Sequence, residues 1–333
     1  MTSRSVRSTN VSELVERTRS GDPRSVARLI SLVENDAPQL REIAALLVPF
    51  AGRAQVVGLT GSPGVGKSTS TSALIGELRR EGKRVGVLAV DPSSPFSGGA
   101  LLGDRVRMQE HSTDDGVFIR SMASRGHLGG LAAAAAAALR VLDVAGCDVV
   151  LIETVGVGQA EVDIASVADT TMVLLAPGMG DGIQAAKAGI LEIADIFVVN
   201  KADRDGADQV ARDLRHMQSL GNSAPRDGAD SATAAQRWRA PIVKTVASRS
   251  EGVAEVAAAI ESHRSWMADS GELVRRRQVR AAAEIEAIAL AQVSRRFAHL
   301  HGADALHEAA VRVVARSTDP YTAADELVAA IGQ

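Results

Sequence analysis

Two hydrophobic textures follow one another along the chain. From residue 11 to 50 apolar residues recur at helical spacing, and Asp22-Pro23 supplies a cap and a first-turn proline ahead of Val26, Leu29, Ile30 and Val33. A small helical preface is expected there. From Gln55 the pattern changes to short β-branched runs: QVVGLT, RVGVLAVD, VFIRSM, DVVLIET, TTMVLLAP, IFVVNKAD and PIVKTVAS, separated by helical stretches. Strands alternating with helices predict an α/β fold, a mostly parallel sheet flanked by helices. Residues 221–236, rich in Gly, Ser, Ala and Asp and without periodicity, read as a surface insertion. After Trp266 the sheet texture stops, and residues 272–300 carry apolar positions at 285, 288, 289, 293 and 297, the stripe of a long amphipathic helix. Such a stripe must be buried, against its own globule or at a subunit interface. The cluster RRRQVR at 275–280 reads as the solvated start of that helix.

Composition narrows the function classes. The formal charge is −3 with both signs interspersed, and aromatics make up 2% of the chain. Neither a phosphate-covering surface nor a base-stacking platform is expected, so no nucleic-acid partner is assigned. The single cysteine, Cys147, cannot form an internal disulfide or by itself a thiolate metal site. The polar N-terminus lacks a secretory core, and no charge-free apolar run reaches membrane-spanning length. A cytoplasmic protein without a membrane partner is expected.

The loop Gly61-Ser62-Pro63-Gly64-Val65-Gly66-Lys67-Ser68 matches the phosphate-binding pattern in full, after a strand and before a helix-forming run that opens with Thr69. Its glycines let amides converge on phosphate oxygens, Lys67 supplies a point charge to the β and γ phosphates, and Ser68 offers a hydroxyl to Mg2+. Asp91 ends the strand RVGVLAVD, where an acid points into the ligand crevice, and Asp104 follows in a glycine-flanked loop that closes on metal and γ-phosphate. Glu153 ends DVVLIET, with Gly156 three residues on, the arrangement of an acid near Mg2+ and a glycine amide that senses the γ-phosphate. Ras-like enzymes carry a glutamine directly after that glycine. Here the residue is Val157 and the nearest glutamine is Gln159, so rapid unaided hydrolysis is not implied.

Asn200-Lys201-Ala202-Asp203 follows IFVVN at a strand's carboxyl end. The Asp203 carboxylate offers two acceptors to N1–H and the exocyclic amine of guanine, whereas adenine would leave it unpaired at a cost of about 1–3 kcal/mol or more. Lys201 lays its stem along the base and Asn200 ties this loop to the phosphate loop. Val246 and Ala247, after the final strand, are expected to bring backbone amides to the guanine carbonyl. GTP and GDP are therefore the expected ligands, with Mg2+.

With these residues in place the chain resembles the MeaB/ArgK GTPases, also called LAO/AO transport system ATPases and related to the human MMAA protein of cobalamin metabolism. The strings that carry the resemblance are TGSPGVGKST, VLAVDPSSPFSGGALLGDRVRM, FIRSMASRGHLGGL, ETVGVGQAE and APGMGDGIQAAKAGILEIADIFVVNKAD. It implies a P-loop G domain of the signal-recognition and MinD-like (SIMIBI) class over 51–268, an N-terminal helical extension over 1–50 and a C-terminal helical dimerisation arm over 269–333. It further implies a chaperone of adenosylcobalamin-dependent methylmalonyl-CoA mutase, one that gates cofactor loading and protects the mutase. By motif, Lys67 and Ser68 bind phosphate and Mg2+, Asp91 and Asp104 support the metal in a first switch and Glu153 serves a second. Lys67, Asp104 and Glu153 form the catalytic set, and residues 181–187 resemble a further switch.

Other readings stay open. A kinase acting on transport-system binding proteins would need a catalytic base beyond the acids assigned to metal. A metal-insertion GTPase would need His/Cys clusters, whereas the seven histidines are scattered. Arg105, Arg107, Arg120 and Arg125 are candidates for a charge on the transferring phosphate.

Overall fold

The computed structural model describes residues 10–92, 109–124, 130–154, 166–178, 192–221 and 238–329. Three short helices come first, α1 (Val11–Arg19), α2 (Pro23–Glu34) and α3 (Leu40–Leu47). Asp22 caps α2 as its sequence suggests, accepting from the Ser25 amide at 3.1 Å, and such a cap contributes about 1 kcal/mol. Seven strands follow: β1 (Gln55–Thr60), β2 (Val85–Pro92), β3 (Val117–Ser124), β4 (Val149–Thr154), β5 (Thr170–Leu175), β6 (Ile196–Val199) and β7 (Ile242–Lys244). The intervening helices are α4 (Lys67–Arg80), α5 (Gly130–Val144) and α6 (Ala207–Gly221). The chain closes with α7 (Val253–Ser270), the 43-residue α8 (Glu272–Val314) and α9 (Pro320–Ala329).

All the strand pairs are parallel, in the order β3-β2-β4-β1-β5-β6-β7. Each of the seven β-branched runs read from the sequence is a strand of this sheet. The strand order reverses around β1, which lies between β4 and β5, and ligands of open α/β sheets bind outside the carboxyl ends at such a reversal.

Buried residues cover both faces. On one, Val26, Leu29 and Ile30 of α2 and Ile43 and Leu47 of α3 share a core with Leu88, Met122 and Leu142. The helical preface is thus part of the main core, with each large aliphatic side chain worth roughly 1.5–3 kcal/mol. On the other face Leu74, Ile75 and Leu78 of α4 pack with Leu59, Leu151, Val256 and Ile260. The alanine run lies in α5, where Ala135 and Ala138 are buried and small side chains let α2 approach closely.

The long arm bears on both readings of its stripe and departs from the expectation for its arginine cluster. The middle of its apolar stripe does not pack on its own globule: Ile285 is 67% and Val293 53% exposed, Ile288 and Leu290 also face outward, and Phe297 is half-buried. After Leu273 in its first turn, the half-buried positions are mostly polar or small, among them Arg276, Arg277, Arg280, Glu284, Ala287 and Ala291. The RRRQVR cluster is correspondingly not a solvated start. Arg277 and Arg280 pair with Asp169, which is 1% exposed just before β5, and Arg276 holds Asp195, before β6, through two bonds of 2.8 and 2.9 Å. Of the cluster's four arginines only Arg275, paired with Glu272, keeps the expected exposure, alongside Gln278 and Val279. The physical reason is that two buried carboxylates at the amino ends of neighbouring strands require cations, and α8 delivers them at i, i+1 and i+4.

Beside this staple His263 is fully buried, with Nδ1 2.9 Å from the Thr170 hydroxyl and its ring 4.7 Å from that of Trp238. Burial pushes its pKa down to about 4, against a smaller opposing pull from Asp195, so the ring is neutral at pH 7.

Candidate functional site

The loop joining β1 to α4 is held by close backbone approaches that only glycine permits. Gly61 and Gly66 sit at φ 144° and 97°. A Cβ at Gly61 would overlap the Leu174 carbonyl of β5, and one at Gly66 would overlap the Asn200 amide. Lys67, 8% exposed, directs Nζ to the Gly61 carbonyl and to that of Ser62 at 3.3 Å. Ser68 is buried beside it in the first turn of α4, while Gly64 and Thr69 are exposed. The positive dipole end of α4 therefore abuts a glycine-rich loop, and its first turn carries a buried ammonium and a buried hydroxyl.

Across the β1/β4 boundary Glu153, in register with Leu59 and Ala89, is 2% exposed. Its Oε2 accepts from the Thr71 hydroxyl on α4. Asp91 is the penultimate residue of β2, opposite Ala123. Asp104, Gly156, Val157, Gln159 and residues 181–187 lie outside the described residues.

On the other side of β1 the residues 200–203 meet the loop through the side chains of Asn200 and Lys201. Asn200 Nδ2 donates to the Val65 carbonyl at 2.8 Å, and its Oδ1 accepts from Thr245 Oγ1 at 3.2 Å and the Ala247 amide at 3.1 Å. Three segments far apart in sequence are laced together by one buried amide. Lys201, held at φ 55°, reaches the Gly64 carbonyl with Nζ at 2.6 Å. Asp203 is 39% exposed, with Arg249 at 3.6 Å.

The two backbone donors expected at the base are engaged inside the protein. The Val246 amide bonds the Glu251 carbonyl at 3.0 Å in a bridge, and the Ala247 amide goes to Asn200. In this arrangement neither is an open donor, because the turn after β7 closes on itself and on Asn200. Arg120 is also committed: it binds Ser31 at 2.9 Å and Glu34 at 3.5 Å, on α2. Arg105, Arg107 and Arg125 are outside the described residues.

The family model described as Methylmalonyl Co-A mutase-associated GTPase MeaB matches residues 26–301. The chain belongs to the MeaB family. Over 96% of its length, and 96% of the relative's, it is 48% identical to a putative GTPase of Pyrococcus abyssi. It is 35% identical to a methylmalonic aciduria type A homolog of Caenorhabditis elegans, covering 81% of this chain and 69% of that protein. A solved structure of a LAO/AO transport system kinase aligns with TM-score 0.68 and 28% identity over 98% of this chain and 99% of that one. This MeaB-family protein is a GTP hydrolase on a P-loop fold.

For a MeaB-family GTPase, the described donors fit a Mg2+ ion: a buried serine hydroxyl and a buried carboxylate are hard oxygen ligands, the type Mg2+ takes. Sequence reading missed Thr71, Thr245 and the acceptors Asp169 and Asp195. Two signals were present in the chain. A hydroxyl stands four residues after Lys67, and an Ala-Asp pair precedes each of two consecutive strands.

Proposed function

We propose that this protein is a Mg2+-dependent, GTP-binding and GTP-hydrolysing chaperone that gates adenosylcobalamin loading and protects methylmalonyl-CoA mutase. The observation that carries the guanine side is the Asn200 junction, which joins the phosphate loop, the Asn200–Asp203 turn and the turn after β7. The partner rests on the family, whose description names the mutase, and on the methylmalonic aciduria homolog.

In this reading the amides of Gly61 to Lys67 and the Lys67 ammonium hold the phosphates. Asp203 takes the guanine N1–H and amine, and the stem of Lys201 covers one face of the base. Val246 and Ala247 then line the base pocket through the turn that Asn200 organises. Ser68, Glu153, Asp91 and Asp104 form the Mg2+ side. Mg2+, when bound, neutralises charge on the β and γ phosphates. Phosphoryl transfer needs little else beyond positioning and charge stabilisation. The outward stripe of α8 is the proposed homodimer surface: Ile285, Ile288 and Val293 follow helical spacing and leave apolar area in water that a second copy would cover.

Two measurements test this reading. Asp203→Asn is expected to weaken GTP by at least about tenfold and to favour xanthosine triphosphate, because the amide presents a donor where the carboxylate accepted. Wild-type GTP affinity in that variant would remove Asp203 from the site. For the partner, light scattering on the protein mixed with an adenosylcobalamin-dependent mutase, with GDP and with a nonhydrolysable GTP analogue, is expected to show a complex holding two copies of this chain, with nucleotide-dependent stability. Absence of a complex, with unchanged turnover, would favour the transport-system kinase reading that the solved relative's name suggests.

A further inference from the structure

Thr71 has no assigned part in the site, yet it is fully buried where α4 faces β4. Its hydroxyl has one proton and two acceptors within reach, the Lys67 carbonyl at 3.1 Å and the Glu153 carboxylate. A helix hydroxyl bonded to the carbonyl four residues back is ordinary and needs no function. The carboxylate changes the balance, since a hydrogen bond to an ionised acceptor is roughly twice as strong as a neutral one. The proton therefore goes to Glu153.

Position makes that bond consequential. Thr71 follows Ser68 by three residues and Lys67 by four, so all three side chains project from one face of α4. That face carries the phosphate-binding ammonium, the hydroxyl assigned to Mg2+ and the donor that grips the acid on β4. We propose that Thr71 is a positioning residue for the metal side of the site, its hydroxyl setting the Glu153 carboxylate at a fixed offset from the Ser68 hydroxyl. This rests on the reading of Ser68 and Glu153 as Mg2+ donors. Without the hydroxyl, a carboxylate only 2% exposed loses a hydrogen-bond donor and the constraint that aligns it with α4.

The test uses Mn2+ as the probe, its binding to the GDP-loaded protein followed by electron paramagnetic resonance, beside the Mg2+ dependence of GTP turnover. Thr71→Val, of similar volume, is expected to raise the half-saturating concentration of both ions about tenfold, the usual scale for a lost ligand-orienting partner, while GDP affinity in EDTA stays at the wild-type value. Thr71→Ser is expected to restore metal affinity to within about twofold of wild type, which a purely packing role would not predict. In a Glu153→Gln background Thr71→Val is expected to add nothing. Wild-type Mn2+ affinity in Thr71→Val, or an additive loss in that background, overturns the proposal. Should the valine variant not fold, Thr71→Ala compared with Thr71→Ser gives the same contrast. Glu153→Gln with unchanged Mn2+ affinity instead brings down the underlying assignment of Glu153, an outcome distinct from failure at Thr71 alone.

Discussion

Lys67→Ala is expected to lower GTP turnover by a factor of about 10²–10³, the scale of removing one preorganised charge-stabilising donor from a transfer site. Lys67 is 8% exposed and lies over carbonyls of its own loop, at Gly61 and Ser62. Buried at the amino end of α4, its ammonium acts at a far lower effective dielectric than a surface lysine, so its loss is not offset by solvent. The amides of the loop and the helix dipole remain in the variant. GDP affinity should consequently fall less than turnover, because charge accumulates on the transferring group. Single-turnover rates at saturating GTP check the chemistry, and a thermal melt checks the fold. Turnover within about tenfold of wild type would leave Lys67 a binding role alone.

Asp169→Ala is expected to cost about 3–5 kcal/mol of stability, the range for removing one partner of a buried ion pair. Asp169, 1% exposed, receives Arg277 at 3.1 Å, Arg280 and the Val56 amide at 3.0 Å. The arginines keep other acceptors, the Gly52 and Ala54 carbonyls for Arg277 and Val167 for Arg280, and both are partly solvated. The lower end, about 3 kcal/mol, is therefore expected, a fall in melting temperature of roughly 4 °C for a chain of 333 residues. Hydrogen exchange should quicken over the first turns of α8, since these arginines dock the arm. A melt within about 1 kcal/mol of wild type would mean that the desolvation cost of the pair cancels its attraction.

Acid should act at the same place. Burial pushes the Asp169 carboxyl up, but the Arg277 hydrogen bond, the charges of Arg280 and Arg277 and the Val56 amide outweigh it and hold the pKa below the usual 3.8. A lowered carboxylate contributes stability that is present above its ordinary value and lost as pH falls through the folded one. The acid-induced loosening of the arm should be absent in Asp169→Ala.

The features legible in the chain are those that depend on neighbours in sequence. Seven β-branched runs became seven parallel strands, because a strand buried on both faces must be continuously apolar. The Asp22-Pro23 cap is likewise a contact three residues long. The phosphate loop was readable because glycines at Gly61, Gly64 and Gly66 answer a local backbone demand, each having positive φ.

The arm shows where such reading ends. Its period was visible, but not which side of the helix faces the globule. That depends on Asp169 and Asp195, more than 80 residues upstream of the arginines they bind. The same holds for the Thr71 grip on Glu153, 82 positions apart, and for the Ala247 amide, drawn to Asn200 rather than left open to a base. Local composition and spacing were sufficient for the element order, the sheet and the loops facing its carboxyl ends. Partner choice among buried polar groups belongs to the assembled molecule, because an unpaired buried charge is so costly that each takes whichever counter-group the packing brings within reach.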